Sequence, residues 1–134
     1  MTLVAHADPL APYRIVGDTV PEPLVATAVD AFRGNALIRD RAGANCLICH
    51  AIPEPSERFM GDLGPDLRSV GSRLSPAQLR FRLIDQSRLN PATLMPPYYR
   101  IDGLLRVGPQ YRDKPVLTAA EIEDVVAYLV TLKE

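Results

Sequence analysis

Cys46-Leu47-Ile48-Cys49-His50 is the stretch from which this chain has to be read. The spacing C-x-x-C-H is the pattern for covalent attachment of a c-type haem. Residues three apart share one face of a helical turn. Both thiols can therefore reach the two vinyl groups along one macrocycle edge, with the neighbouring imidazole projecting under the iron. The same C-x-x-C core serves thioredoxin-like redox chemistry, which belongs to a βαβ context that the pattern here lacks. A disulfide between the two cysteines would close a very small, strained loop. Zinc would need further thiol or imidazole ligands, and the only histidines are His6 and His50.

A six-coordinate haem needs a second axial ligand, and a thioether in that place raises the reduction potential. The candidates are Met1, His6, Met60 and Met95. Met95 is favoured: it lies far enough downstream for the chain to wrap round the haem, and Pro96-Pro97 stiffen its loop without a helix. Met60 is close to the motif, precedes Gly61 and reads as a core or rim residue. Gly64-Pro65-Asp66-Leu67 has to pass beside the proximal imidazole. A ligating histidine usually donates its other ring N–H to a carbonyl or carboxylate, which makes the Pro65 carbonyl the candidate acceptor; a plain Gly-Pro turn is the simpler reading. Arg73 is a candidate partner for a haem propionate, with ordinary surface charge as the alternative.

The rest of the chain suits one small domain. It has 134 residues, 47% hydrophobic and 23% charged, within the range of single globular domains. The net charge of −1 gives no reason to expect nucleic acid or an anionic membrane as partner. The longest apolar runs are far too short to span a bilayer. Charge is uneven, however: between Asp66 and Lys114 there are eight Arg and one Lys against four Asp. Solvated helix faces account for this as well as propionate pairing or a partner surface does.

Residues 8–24 read as an extended arm, because Pro9, Pro12, Gly17, Pro21 and Pro23 forbid a long helix. A short strand is expected at Tyr13-Arg14-Ile15-Val16, and the hydrophobes at 13, 15, 16 and 20 imply that the arm lies against something. Ala5-His6-Ala7 has the form of a signal-peptidase site, so residues 1–7 are expected to be the remnant of an export signal, with a chance match as the alternative. A first helix is expected from an Asp30 N-cap towards Arg41, with Phe32, Ala36, Leu37 and Ile38 as its apolar stripe and Gly43 as a left-handed cap. Gly34 inside it costs about 1 kcal/mol relative to Ala, which makes sense if another helix approaches its backbone. Ser75-Pro76-Ala77-Gln78 is a capping box. It opens a helix carrying Leu79, Leu83 and Ile84 to about Ser87, followed by an Asn90-Pro91 turn. Thr118-Ala119-Ala120-Glu121 is a second capping box, opening a helix with Ile122, Val125, Val126 and Leu129 on one face. Glu121, Glu123 and Asp124 sit at its positive end. The class is all-α with long loops.

These features together resemble the class I cytochromes c. That resemblance implies crossed N- and C-terminal helices around one haem, with Gly34 and Ile38 meeting Tyr128 and Leu129. Gly64-Pro65-Asp66-Leu67-Arg68-Ser69-Val70-Gly71, Asn90-Pro91-Ala92-Thr93-Leu94-Met95-Pro96-Pro97-Tyr98-Tyr99-Arg100 and Glu123-Asp124-Val125-Val126-Ala127-Tyr128-Leu129 are similar to the SoxX family, as is the arm with Val16-Gly17-Asp18 and Pro21. Membership would imply one covalently bound haem c on Cys46 and Cys49, ligated by His50 and Met95. It would also imply a SoxA subunit as heterodimer partner, the SoxYZ carrier as an indirect one, a downstream cytochrome as electron acceptor, and a periplasmic location. The chain would be the non-catalytic electron relay of the SoxAX complex, an L-cysteine S-thiosulfotransferase that conjugates thiosulfate to the SoxYZ cysteine; a free, diffusible class I cytochrome c is the alternative. Leu67, Val70, Leu74, Leu79, Leu83, Leu94 and Val126 would line the haem pocket. The division implied is a signal remnant and extended partner-binding arm at 1–26 and a cytochrome c domain at 27–134.

Overall fold

A computed structural model of the chain describes residues 10–134; the expected signal remnant, with Met1 and His6, lies outside the described residues. Four α-helices follow the arm: α1 (Ala31–Arg39), α2 (Val70–Arg73), α3 (Pro76–Asp85) and α4 (Ala119–Leu129). Short 3-10 turns occupy Cys46–Ile48, Gln86–Arg88 and Pro109–Tyr111. Among the described residues there is no strand, only an isolated bridge between Val16 and Thr19. No helix among them is long and apolar enough to cross a membrane.

Both capping boxes form as the sequence predicts. The Ser75 hydroxyl accepts from the Gln78 N–H at 3.2 Å while the Gln78 amide oxygen accepts from the Ser75 N–H at 3.0 Å; Thr118 and Glu121 make the same exchange in α4. Leu79, Leu83 and Ile84 of α3 and Ile122, Val125, Val126 and Leu129 of α4 are buried together with Ile38 of α1. Burying such side chains is the main driving force for the fold, about 1.5–3 kcal/mol each.

α1 starts where expected. The Asp30 carboxylate accepts from the Phe32 N–H at 2.8 Å and the Arg33 N–H at 3.3 Å. Its other features need correction. The helix ends at Arg39, and Gly43 is not left-handed. The Asp40 carboxylate instead accepts from the Ala42 and Gly43 N–H groups at 3.0 and 3.2 Å, and the left-handed residue is Asn45, at φ 52°. Phe32 is 89% exposed, and the buried face is Gly34 and Ile38. The cause is the approach of α4: a Cβ on Gly34 would overlap the Asp124 carbonyl oxygen and stand 3.0 Å from the Tyr128 Cβ. That contact fixes the rotation of α1 and sends Phe32 outwards.

The arm lies on α3 and on the loop after Met95, without the predicted strand. Its backbone groups go to a turn, a side chain and the first turn of α3: Val16 and Thr19 exchange N–H···O bonds across Gly17 (φ 61°), the Ala11 N–H donates to the Tyr99 hydroxyl at 2.6 Å, and the Val20 N–H donates to the Ala77 carbonyl at 3.0 Å. Val20 and Leu24 enter the core, and the Tyr13 ring packs at 6.5 Å from that of Tyr99. Between α3 and α4 lies an ion pair that the sequence pattern did not reveal. Arg80 and Glu123, with side chains 5% and 3% exposed, meet at 2.8 Å. Arg80 also donates to the Val20 carbonyl at 2.7 Å, and Glu123 accepts from the Leu24 N–H at 3.2 Å, so the pair is saturated by the arm. α2, too short to show a periodicity, packs on the C-terminal tail through the Gly71 N–H and the Leu132 carbonyl at 2.8 Å.

Two outcomes are expected. Gly34→Ala places a methyl group where neither backbone can yield, and thermal unfolding should show a loss of about 2 kcal/mol, outweighing the better helix propensity of Ala. The Asp18 carboxyl is held below its ordinary 3.8 first by a hydrogen bond from Gln78 and then by Arg82. Its contribution to docking the arm is therefore present above the unfolded pKa and is lost as pH falls through the lower folded value. Limited proteolysis within the arm should accelerate below about pH 4, and Asp18→Asn should remove that pH dependence.

Candidate functional site

The motif segment is built largely from its own main chain. The Cys46–Ile48 turn brings the His50 N–H to the Cys46 carbonyl at 3.0 Å and buries Leu47. Residues 61–67 then run back along it: Gly61 N–H donates to Leu47 O at 2.8 Å, Gly64 N–H to Cys49 O at 2.7 Å and Leu67 N–H to Ala51 O at 2.9 Å. This return places the Pro65 carbonyl 2.6 Å from His50 Nδ1. With Nδ1–H donating to that carbonyl, the tautomer is set and the Nε2 lone pair is left for another partner. Gly64 lies so close to the imidazole that a Cβ there would stand 2.8 Å from Nδ1 and 2.9 Å from Nε2. Only a glycine lets the backbone serve as the wall behind the ring.

The two cysteines are free and half-buried. Burial pushes the Cys46 thiol up to about 11, only partly opposed by a hydrogen bond with Tyr98. A redox C-x-x-C depends on a depressed, exposed thiolate; a neutral thiol in apolar surroundings is unsuited to that role. Tyr98 itself is buried, and its hydroxyl donates to the Ala44 carbonyl at 3.1 Å. Burial is the first cause that raises its pKa. It ties the loop after Met95 to the segment just before the motif. Nothing in its spacing announced this, beyond the pair of aromatics after Pro96-Pro97.

The two internal methionines differ. The Met60 sulfur accepts from the Ile52 N–H at 3.4 Å, which occupies it within the motif segment. Met95 is half-buried against the core, its own N–H donating to the Thr93 hydroxyl at 3.1 Å. Arg73 is exposed and donates to the Asp66 carbonyl at 2.9 Å, next in sequence to Pro65. Of the expected pocket lining, Val70, Leu79, Leu83 and Val126 are buried, whereas Leu94 is 82% exposed. Arg80 and Arg100, counted in the basic stretch, face inward onto Glu123 and Asp85; this subtracts from the surface charge that the sequence suggests.

The donor set suits a haem. Two thiols three residues apart adjoin an imidazole whose Nδ1 is already committed, and the glycine behind the ring leaves no room for any other side chain. The polypeptide also leaves Ile48, within the motif, and Leu63 and Phe59, beside its return, largely exposed, together with Leu94 next to Met95. Exposed apolar side chains of this kind are what a large apolar group or a partner surface would cover.

A small helical domain of this kind, with this motif, fits the cytochrome c fold. No protein-family model and no curated protein matches the chain. Among solved structures, the crystal structure of SoxXA from P. pantotrophus contains a chain that is 35% identical to this one, with a TM-score of 0.83 over 91% of this chain and 95% of that one. The chain belongs to the SoxX family.

The wall behind His50 gives a direct expectation. Gly64→Ala should displace the imidazole or the Pro65 carbonyl, destabilising the protein by about 1–3 kcal/mol. The change is to be read as a fall in thermal midpoint. An unchanged midpoint would show that the ring has space to spare.

Proposed function

We propose that this chain is the monohaem electron-transfer subunit of a SoxAX-type complex. The observation that carries the reading is the His50 Nδ1–Pro65 carbonyl contact of 2.6 Å behind a C-x-x-C-H motif, in a chain of the SoxX family. Cys46 and Cys49 would hold one haem c by thioether bonds, and His50 and Met95 would supply its axial ligands. Bound in this way, haem supplies a one-electron couple whose potential is raised by a thioether ligand and by exclusion of water. The Pro65 carbonyl fixes the orientation and basicity of His50. Pro96 and Pro97 limit the motion of Met95. Leu79, Leu83, Val70 and Val126 would exclude water, and Arg73 would pair with a propionate. α1 and α4 would be the crossed terminal helices around the haem, in a domain from residue 27 to 134.

The partner of such a subunit is SoxA, as in the named SoxXA complex. Within residues 1–26, the extended arm that follows the expected signal remnant would enlarge the contact, since Ile15 and Val16 remain partly exposed on an arm otherwise fastened to its own core. With both cysteines committed to the haem, the chain has no thiol for sulfur chemistry. Conjugation of thiosulfate to the SoxYZ cysteine would belong to the complex, and this subunit would carry the released electrons to a downstream cytochrome, in the periplasm.

Intact-mass analysis of the mature protein should show the mass of one haem, absent from Cys46→Ala/Cys49→Ala. Co-expression with a SoxA-type subunit should yield a heterodimer; recovery of a haem-loaded monomer alone would favour a free carrier instead. In the ferric protein, Met95→Ala should abolish the weak methionine–iron absorption at the red edge, whereas Met60→Leu should keep it. Retention of the band in Met95→Ala would remove Met95 from the site.

A further inference from the structure

At the end of α3 lies a carboxylate that the proposed site does not use. Asp85 is 2% exposed, and a buried charge persists only when it is paired and hydrogen-bonded. Its Oδ2 accepts from Arg100 Nη1 at 2.7 Å. Its Oδ1 accepts from the Ser87 N–H at 3.0 Å and the Ser87 hydroxyl at 2.5 Å. Arg88 Nε lies 3.8 Å from Oδ2. Ser87 and Arg100 stand at the two ends of the segment that contains Met95. One carboxylate thus grips both stems of that loop at its base, and Arg100 Nη1 reaches across to the Ser87 hydroxyl at 3.3 Å.

The downstream stem is aligned with α3 residue for residue. Tyr98 N–H donates to Leu83 O and Tyr99 N–H to Ile84 O, both at 3.2 Å, and Arg100 then meets Asp85. The upstream stem turns at Asn90, whose carboxamide oxygen accepts from the Ala92 N–H at 3.0 Å and whose carbonyl accepts from the Thr93 N–H at 3.0 Å. Between the stems, Leu94 to Pro97 make no main-chain hydrogen bond to a helix. Apart from the local Thr93 bond and the packing of its side chain on the core, Met95 is therefore held through its stems. Closing a flexible loop costs conformational entropy, and charge-assisted hydrogen bonds are the strongest available to hold it closed.

We infer that Asp85 is a positioning residue for the axial methionine: its carboxylate, paired with Arg100 and Ser87, clasps the base of the 87–100 loop and keeps Met95 in place. The inference rests on the proposed assignment of Met95 as axial ligand. Loss of the clasp lets the loop swing out more often, so a small exogenous ligand competes better for the iron.

The test is an imidazole titration of the ferric holoprotein, followed by loss of the red-edge methionine band. Asp85→Asn keeps the shape and weakens the grip on Arg100; it should bind imidazole at least about tenfold more tightly than wild type, the change expected for losing one charge-assisted hydrogen bond. Arg100→Gln should do the same, and the double variant should add little to either. Glu123→Gln is the control, because it loosens a buried ion pair of the same kind at the arm. It should lower the thermal midpoint and leave imidazole affinity unchanged. Where Asp85→Asn yields no holoprotein, Arg100→Lys is read in the same way. Wild-type imidazole affinity in the Asp85 and Arg100 variants, or an equal gain in Glu123→Gln, would overturn the clasp while leaving Met95 assigned. Persistence of the band in Met95→Ala would overturn the axial assignment itself, and the clasp with it.

Discussion

The contact on which the rest of the molecule depends is that between Gly34 in α1 and the backbone of α4 at Asp124. Without a Cβ at position 34 the two helices approach until main chain meets main chain. Asp124 adds a second tie, since its carboxylate accepts from the Asp30 N–H at 2.9 Å and from Arg33 Nε at 3.0 Å. One residue of α4 therefore both receives the middle of α1 and caps its beginning. The rotation of α1 follows, and with it the direction in which the chain leaves at Asp40 towards the motif. Packed cores transmit such constraints because they lack the free volume to absorb them.

The same device recurs at three places where irregular chain is held to the helical frame. Glu123, with Arg80, receives the arm at Val20 and Leu24; Asp124 receives the start of α1; Asp85 receives both stems of the Met95 loop. Each is a buried carboxylate on α3 or α4, and each is compensated by an arginine and a backbone N–H. Isolated ion pairs of this kind add little net stability over apolar packing. They are specific, however, since removal of the arginine leaves a buried carboxylate unpaired. In a chain with long irregular segments, that specificity supplies the alignment which a sheet would otherwise provide.

The two capping boxes, the apolar faces of α3 and α4, the costly Gly34 and the C-x-x-C-H motif were legible in the sequence because each is a local pattern with a fixed spacing. The approach of Pro65 to His50 was legible too, from the requirement that a ligating imidazole have a second partner. The acidic residues of α4 were read as partners of the helix dipole, and the arginines as surface or propionate charge; nothing local distinguishes a solvated Arg68 from a buried Arg80. Pairs such as Arg80–Glu123 and Asp85–Arg100 join residues whose proximity exists only after the helices pack. The outward turn of Phe32 has the same origin, because its periodicity was compatible with two rotations of α1 and α4 selected one. The strand expected at residues 13–16 failed because β propensity needs a partner edge, and the arm found side chains and turns instead.

The two halves of the candidate site are held by different means, and this bears on how it would work. His50 sits in a segment whose hydrogen bonds run mostly within residues 46–67, so the motif carries its own geometry with it. Met95 sits in a loop whose geometry is borrowed from α3 through Tyr98, Tyr99 and Arg100. The Tyr98 hydroxyl, on the Ala44 carbonyl, is a direct polar link between the two. In the proposed electron-transfer role the proximal ligand would be the fixed one, held by thioether-bound neighbours and the Pro65 carbonyl. The distal ligand would be the adjustable one, its strength set by how firmly α3 holds the loop. On that proposal, potential and ligand affinity would be tuned without disturbing haem attachment from the distal side, through residues such as Asp85 and Arg100 outside the C-x-x-C-H motif.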